Sequence, residues 1–165
     1  MSAFADARFR RAGLVAAVVV LLDQLTKAIV QSSMSLHQTI RLGPFVDLVY
    51  LRNPGAAFSL LRDAPAFFRL PLFIVVTVVV AGALVAYLRS TPPEQTWIVT
   101  ALGAILGGAV GNLICRVRYG EVVDFVFLHW GEWYWPAFNV ADSAISVGAV
   151  VILLSSFRRE PDDRS

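Results

Sequence analysis

Four apolar stretches alternate with polar connections along this chain. Leu70–Leu88 and Trp97–Ile114 contain no Asp, Glu, Lys or Arg, and Ala12–Leu22 and Ser143–Phe157 repeat the pattern over shorter lengths. A helix rises about 1.5 Å per residue, so roughly 20 apolar residues cross a hydrocarbon core about 30 Å thick. The pattern predicts four spans, at about 12–31, 68–88, 96–114 and 139–157. Two longer connections remain, 32–67 and 115–138, and the first is too long to be an idle connector. Within it Thr39–Leu42, the Gly43-Pro44 turn and Phe45–Leu51 read as short strands, with imperfect alternation, and Asn53-Pro54-Gly55 breaks them. The expected architecture is an all-α polytopic membrane protein, one domain over 1–165, with four transmembrane helices. A small β-sheet and a short helix rest on its outer face.

Composition agrees with that reading. Of 165 residues 57% are hydrophobic and 16% charged, where a soluble domain carries about a quarter charged. The net charge of +2 comes from basic residues that flank the spans and form no run, which gives no footprint for nucleic acid. Cys115 is the single cysteine, so an internal disulfide is excluded. His37 and His129 are the only histidines and lack ligand-like spacing, so no metal site is expected. Arg8, Arg10 and Arg11 before the first apolar stretch resemble a signal peptide's start. No small-residue cleavage site follows, and Asp23 to Lys27 interrupts the stretch, so a retained first span is expected. Four spans put both termini and the 89–95 connection on one side. Arg8, Arg10, Arg11, Arg89, Arg158, Arg159 and Arg164 crowd the short segments there, which places that side in the cytoplasm.

Charge inside this frame is conspicuous. Asp124 sits in Val122-Val-Asp-Phe125 and Asp142 precedes the last apolar run. A charged group at a helix centre costs roughly 2.5–3.5 kcal/mol on insertion scales, so such residues mark function by default. Two carboxylates at one outer membrane face suit a proton-sharing pair that activates water, the chemistry of an intramembrane aspartic peptidase. Each aspartate also has an ordinary explanation: Asp142 as an N-cap, and Asp124 as a partner of Arg116 or Arg118. Asn112, Arg116 and Asn139 on the same face favour the catalytic reading. Asp23 and Lys27, four apart on the first helix, are either a self-neutralising pair or a support for the reactive groups. Asn53 is a turn residue or a contact to substrate backbone. Gly103, Gly107 and Gly111 form a small-residue stripe for close helix packing, and Gly108, off that stripe, admits another helix or a substrate backbone. Trp130, Trp133 and Trp135 form an interfacial belt. A proton-linked transporter and a non-enzymatic lipid-binding scaffold are the alternatives.

Five segments, in order, resemble the motifs of the bacterial lipoprotein signal peptidase (signal peptidase II) family. They are Asp23-Gln-Leu-Thr-Lys27, Asn53-Pro-Gly-Ala-Ala-Phe58, Gly107-Gly-Ala-Val-Gly-Asn112, Val123-Asp124-Phe125 and Phe138-Asn-Val-Ala-Asp142-Ser143. The resemblance implies an enzyme of the bacterial inner membrane that removes signal peptides from diacylglyceryl-modified prolipoproteins, cutting just before the lipidated cysteine. It implies Asp124 and Asp142 as catalytic. Asp23, Lys27, Asn53, Gly108, Asn112, Arg116 and Asn139 are implied as substrate-binding or supporting positions. It implies no cofactor, inhibition by globomycin-type cyclic peptides, and membrane lipids as neighbours. Nothing in the chain demands more than a monomer. One position departs from the family pattern Asn-x-x-Asp-Arg: the acidic neighbour of Arg116 is replaced by Cys115. The expectation is an arginine short of an ion-pair partner.

Overall fold

The computed structural model describes residues 3–55 and 65–157. In chain order the elements are α1 (Ala3–Ser33), β1 (Thr39–Arg41), β2 (Val46–Asn53), α2 (Ala66–Ser90), α3 (Thr96–Tyr119), β3 (Val122–Trp130), β4 (Trp133–Phe138) and α4 (Val140–Ser156). Three helical stretches are long and apolar enough to cross a membrane: Ala7–Ser33, Phe67–Ser90 and Thr96–Tyr119. The fourth helix is equally apolar but shorter, 17 residues, or about 26 Å at the α-helical rise. The short outer helix expected from sequence has no counterpart among the described residues of either loop; residues 56–64 lie outside them.

Helix α1 begins at Ala3, well ahead of the expected limit near 12, and two further differences from the sequence reading stand out. Helix α3 continues past 114 to Tyr119, so Arg116 belongs to a helix and not to a loop. It stops at Gly120, whose left-handed backbone (φ 73°) lets its N–H bond the Arg116 carbonyl. Arg116 and Arg118 in that last turn complement the partial negative charge of the helix end. The second difference is the sheet. It has four antiparallel strands in the order β1-β2-β3-β4, and half of them come from the connection read only as an aromatic belt. Val122–Trp130 is rich in β-branched and aromatic residues. A two-residue loop with Gly131 at φ 59° returns the chain into β4. Trp130 and Trp133 flank this loop, both largely exposed.

The imperfect alternation of β2 has a local cause. Its pairing with β3 shifts between Leu48 and Leu51, and within that irregularity Val49 and Tyr50 are both buried. Tyr50 then packs with Val123 and Phe125 of β3 against Val30 and Met34, the end of α1. This apolar cluster seats the sheet on the helix ends.

Helix α3 is the hub, packed against α1, α4 and α2. Small residues make this possible. A Cβ built on Gly103 or Gly107 would lie 2.6 or 2.7 Å from the carbonyl oxygen of Ala12 or Ala16 on α1, so the glycine stripe serves close packing. Off the stripe, Gly108 admits α4: its Cβ would meet the Ala141 carbonyl oxygen at 2.5 Å. Leu21, Val79 and Leu153 are among many large apolar side chains left exposed, the outer surface expected of helices solvated by lipid.

Candidate active site

Five elements bring their polar residues to one place, Asn53 at the end of β2 among them. Asp23 and Lys27 lie one helical turn apart on α1, and Asn112 faces them from α3. Asp124 is the third residue of β3, and Asn139 and Asp142 open α4. Asp23, Lys27 and Asn139 are at most 2% exposed, Asp124 3% and Asn112 6%, so every polar atom here requires a partner.

The partners form one continuous network. Lys27 Nζ donates to Asp23 Oδ2 (2.8 Å) and to Asn112 Oδ1 (2.9 Å). Asn112 Nδ2 donates to Asp142 Oδ1 (2.8 Å). Asn139 Nδ2 donates to Asp124 Oδ1 (2.7 Å) and also reaches Asn112 Oδ1 and the Val123 carbonyl. Asn53 Nδ2 donates to Asp124 Oδ2 (3.1 Å), while Asn53 Oδ1 accepts from the Gly55 N–H and closes the turn. Asn53 therefore closes its turn and at the same time holds Asp124. Asp23 Oδ1 accepts from the Ala141 N–H, tying α1 to the first turn of α4 (3.0 Å).

Asn139, not Asp142, is the N-cap of α4. Its Oδ1 accepts from the Asp142 N–H, and Asp142 Oδ2 accepts from the Asn139 N–H in return, a capping box. Asp124 bonds the amides of Asn53 and Asn139, and neither Arg116 nor Arg118 pairs with it. The ordinary explanations for both aspartates thus give way to a shared one: each carboxylate is hydrogen-bonded to Asn139. Burial, followed by the charge of Asp142, pushes Asp124 above the usual carboxylate range to about 6. Two neighbouring carboxyls, Asp124 buried and Asp142 half-buried, held by neutral amides, are equipped to share a proton and to hold water.

The match of the signal peptidase (SPase) II family to residues 15–158 covers every residue of this network. The chain belongs to the signal peptidase II family. Its relatives include the lipoprotein signal peptidase of Syntrophotalea carbinolica, 48% identical over 153 residues, which cover 92% of this chain and 94% of that one. The lipoprotein signal peptidase of Pseudomonas aeruginosa is 45% identical over 148 residues, 87% of this chain and 86% of its own. A solved bacterial membrane enzyme, 30% identical, matches the fold with a TM-score of 0.78 over 93% of this chain and 94% of that one. This signal peptidase II is thus a bacterial membrane peptidase.

The departure at Cys115 has a structural answer. Successive helix positions point about 100° apart, and Cys115 and Arg116 serve different neighbours. Cys115 is buried towards α1, where Gln24 Nε2 approaches its sulfur at 3.6 Å. Arg116 faces α2: its guanidinium lies 4.3 Å from the centre of the Phe73 ring, and Nη2 donates to the Gly55 carbonyl (3.3 Å). The arginine is held without an acidic neighbour, although its Nε is buried with no hydrogen-bond partner among the described residues. Sequence reading missed Gln24, which also donates to Asp23 Oδ2 and to the Gly111 carbonyl and so locks α1 to α3. Its place beside Asp23 within the Asp-Gln-Leu-Thr-Lys motif is the signal that marks it.

Proposed function

We propose that this enzyme removes signal peptides from diacylglyceryl-modified prolipoproteins, cutting before the lipidated cysteine, with Asp124 and Asp142 as its catalytic pair. The observation that carries the proposal is the convergence of both carboxylates on Asn139, inside a buried network that spans α1, α3, β3 and α4. One carboxyl is ionised and takes a proton from the water between them. The other is protonated and polarises the scissile carbonyl. Attack gives a tetrahedral diol with no acyl-enzyme. Transfer of a proton to the amide nitrogen then releases the signal peptide and the new cysteine amine. Asn53 and Arg116 are the donors placed to meet charge on the diol. Asn112 and Asn139 align the acids, Asp23 and Lys27 fix those amides, and Gly108 lets α4 approach closely enough to bring Asp142 in.

The whole chain acts as one membrane domain. Helix α4 is its fourth span, both termini are cytoplasmic, and the site opens at the outer face. Surrounding lipid and the substrate's acyl chains set the depth of the scissile bond, so binding energy remote from the reacting atoms positions them. Cyclic peptides of the globomycin type occupy the same site, and the enzyme works as a monomer. The test is cleavage of a diacylglyceryl-modified prolipoprotein by purified Asp124→Asn and Asp142→Asn. Loss of turnover, with helical content and thermal unfolding retained, is expected in both. Near-normal turnover by either rejects the pair.

A further inference from the structure

Lys27 is a buried ammonium, 2% exposed and far too deep for ordinary hydration, yet it touches no carboxylate of the catalytic pair. Its hydrogen-bond partners are Asp23 Oδ2 and Asn112 Oδ1. An ammonium has three donors and no acceptor, so it accepts only one orientation of the Asn112 amide, with oxygen towards Lys27. The amide N–H then has to face Asp142 Oδ1, where it lies at 2.8 Å. The same Asn112 oxygen also takes the Asn139 amide, which fixes that second side chain with its N–H on Asp124.

We infer that Lys27 is a positioning residue that decides where the proton of the pair resides: acting through Asn112, it holds Asp142 as the ionised member and leaves the proton on Asp124. The inference rests on the catalytic pair proposed above. The surroundings of the two acids agree with it. Asp142 stands in the first turn of α4, where helix N–H groups favour negative charge, and it is the less buried of the two. Asp124 stands in a strand, which offers little dipole, and its hydrogen-bond donors are neutral amides. The other titratable or charged groups facing the network are Asp23 on α1, and Cys115 and Arg116 on α3. Arg116 acts on both acids, on Asp142 the more, and so works in the same direction as the relay from Lys27, which reaches Asp142 by a single amide. Asp142 is therefore the base that takes the proton from water, and Asp124 the acid at the scissile carbonyl.

The test compares Lys27→Met, Asp23→Asn/Lys27→Met and Asn112→Ala in the full-length enzyme, with a synthetic diacylglyceryl-modified lipobox peptide as substrate. The double variant avoids stranding the Asp23 charge, and Asn112→Ala leaves the Asp23–Lys27 pair intact. In each, kcat should fall about tenfold to a hundredfold, the scale of one hydrogen bond to a charged group, with KM little changed. The acid limb of the kcat/KM profile should move to higher pH in each. Adding Lys27→Met to Asn112→Ala should produce no further movement. An unmoved limb in both Asn112→Ala and the double variant overturns the inference, as does an additive shift. If those limbs stay put while Asp124→Asn and Asp142→Asn are inactive, the pair stands and only the role of Lys27 falls.

Discussion

Replacing Gly108 with alanine should separate activity from stability. The added Cβ would meet the Ala141 carbonyl oxygen at 2.5 Å and Ile145 Cγ1 at 2.8 Å. An isoleucine tip can turn aside, but a backbone carbonyl moves only with its helix. Ordinary contact begins near 3.4 Å, so the start of α4 has to withdraw by about 1 Å. That turn carries Asn139 and Asp142, and a displacement of about 1 Å at reacting groups costs about a hundredfold in rate. The stability cost is smaller. Overpacking costs about 1–3 kcal/mol, and alanine in place of glycine within a helix returns about 1 kcal/mol, leaving a net loss of about 0–2 kcal/mol. Gly82→Ala in α2 is the matched control, because nothing lies within 4 Å of its added Cβ. Initial cleavage rates and thermal unfolding in detergent should show Gly108→Ala folded with activity down about a hundredfold, and Gly82→Ala fully active. Gly108→Ala with activity within about threefold of wild type would refute the argument that α4 is held at backbone contact.

Lys27→Met strands the Asp23 carboxylate and should lower stability by about 3–5 kcal/mol, while Asp23→Asn/Lys27→Met recovers most of that loss in detergent unfolding. Equal stability of the two variants would mean that the buried pair carries no unpaired-charge penalty. Asn139→Ala removes the cap of α4 and the side-chain donor to Asp124, while the backbone N–H that serves Asp142 remains, so activity should fall about tenfold to a hundredfold along with about 1 kcal/mol of stability; a fully stable variant would show that the capping box contributes nothing. Cys115→Asp should keep or raise activity, since Gln24 is placed to donate to the new carboxylate, and thiol-blocking reagents should leave cleavage intact; complete loss would give the thiol a role of its own. Burial raises Asp124 from 3.8 to about 6, so the native state holds this proton more tightly than the unfolded chain does. Its contribution is fully present below about pH 3.8 and is lost as pH rises through about 6, a fall of about 3 kcal/mol that Asp124→Asn should flatten in unfolding measured across that window.

Sequence made the helices legible because lipid imposes length and apolarity on any span: the C-terminal end of α1 and both ends of α2 and α4 fall close to the predicted limits, whereas α1 begins at Ala3, well before the apolar stretch. The end of α3 was less so: Arg116 and Arg118 look like a loop in a hydropathy pattern, whereas the helix is stopped by the backbone of Gly120. Strand β3 was hidden because its Val-Val-Asp-Phe-Val-Phe-Leu run is both aromatic and apolar, which an interfacial belt explains equally well. The site residues were legible as types and as motifs. Their connections were not, because which way an amide faces depends on three elements distant in the chain. Asn139 looked like a neighbour of the cap and is the cap, and Gln24 carries no charge to draw notice. Residue 115 beside Arg116 suggested a pair, but helical rotation sends them to opposite neighbours.

The capping box of α4 has an evolutionary cost. Mutations there are judged for folding and for turnover at once, since one side chain both starts the helix and holds Asp124. A lineage adapting to heat or cold cannot retune this turn gradually; its adjustments have to accumulate on the lipid-facing sides of the bundle, where exchanging one apolar residue for another leaves peptide-bond hydrolysis untouched.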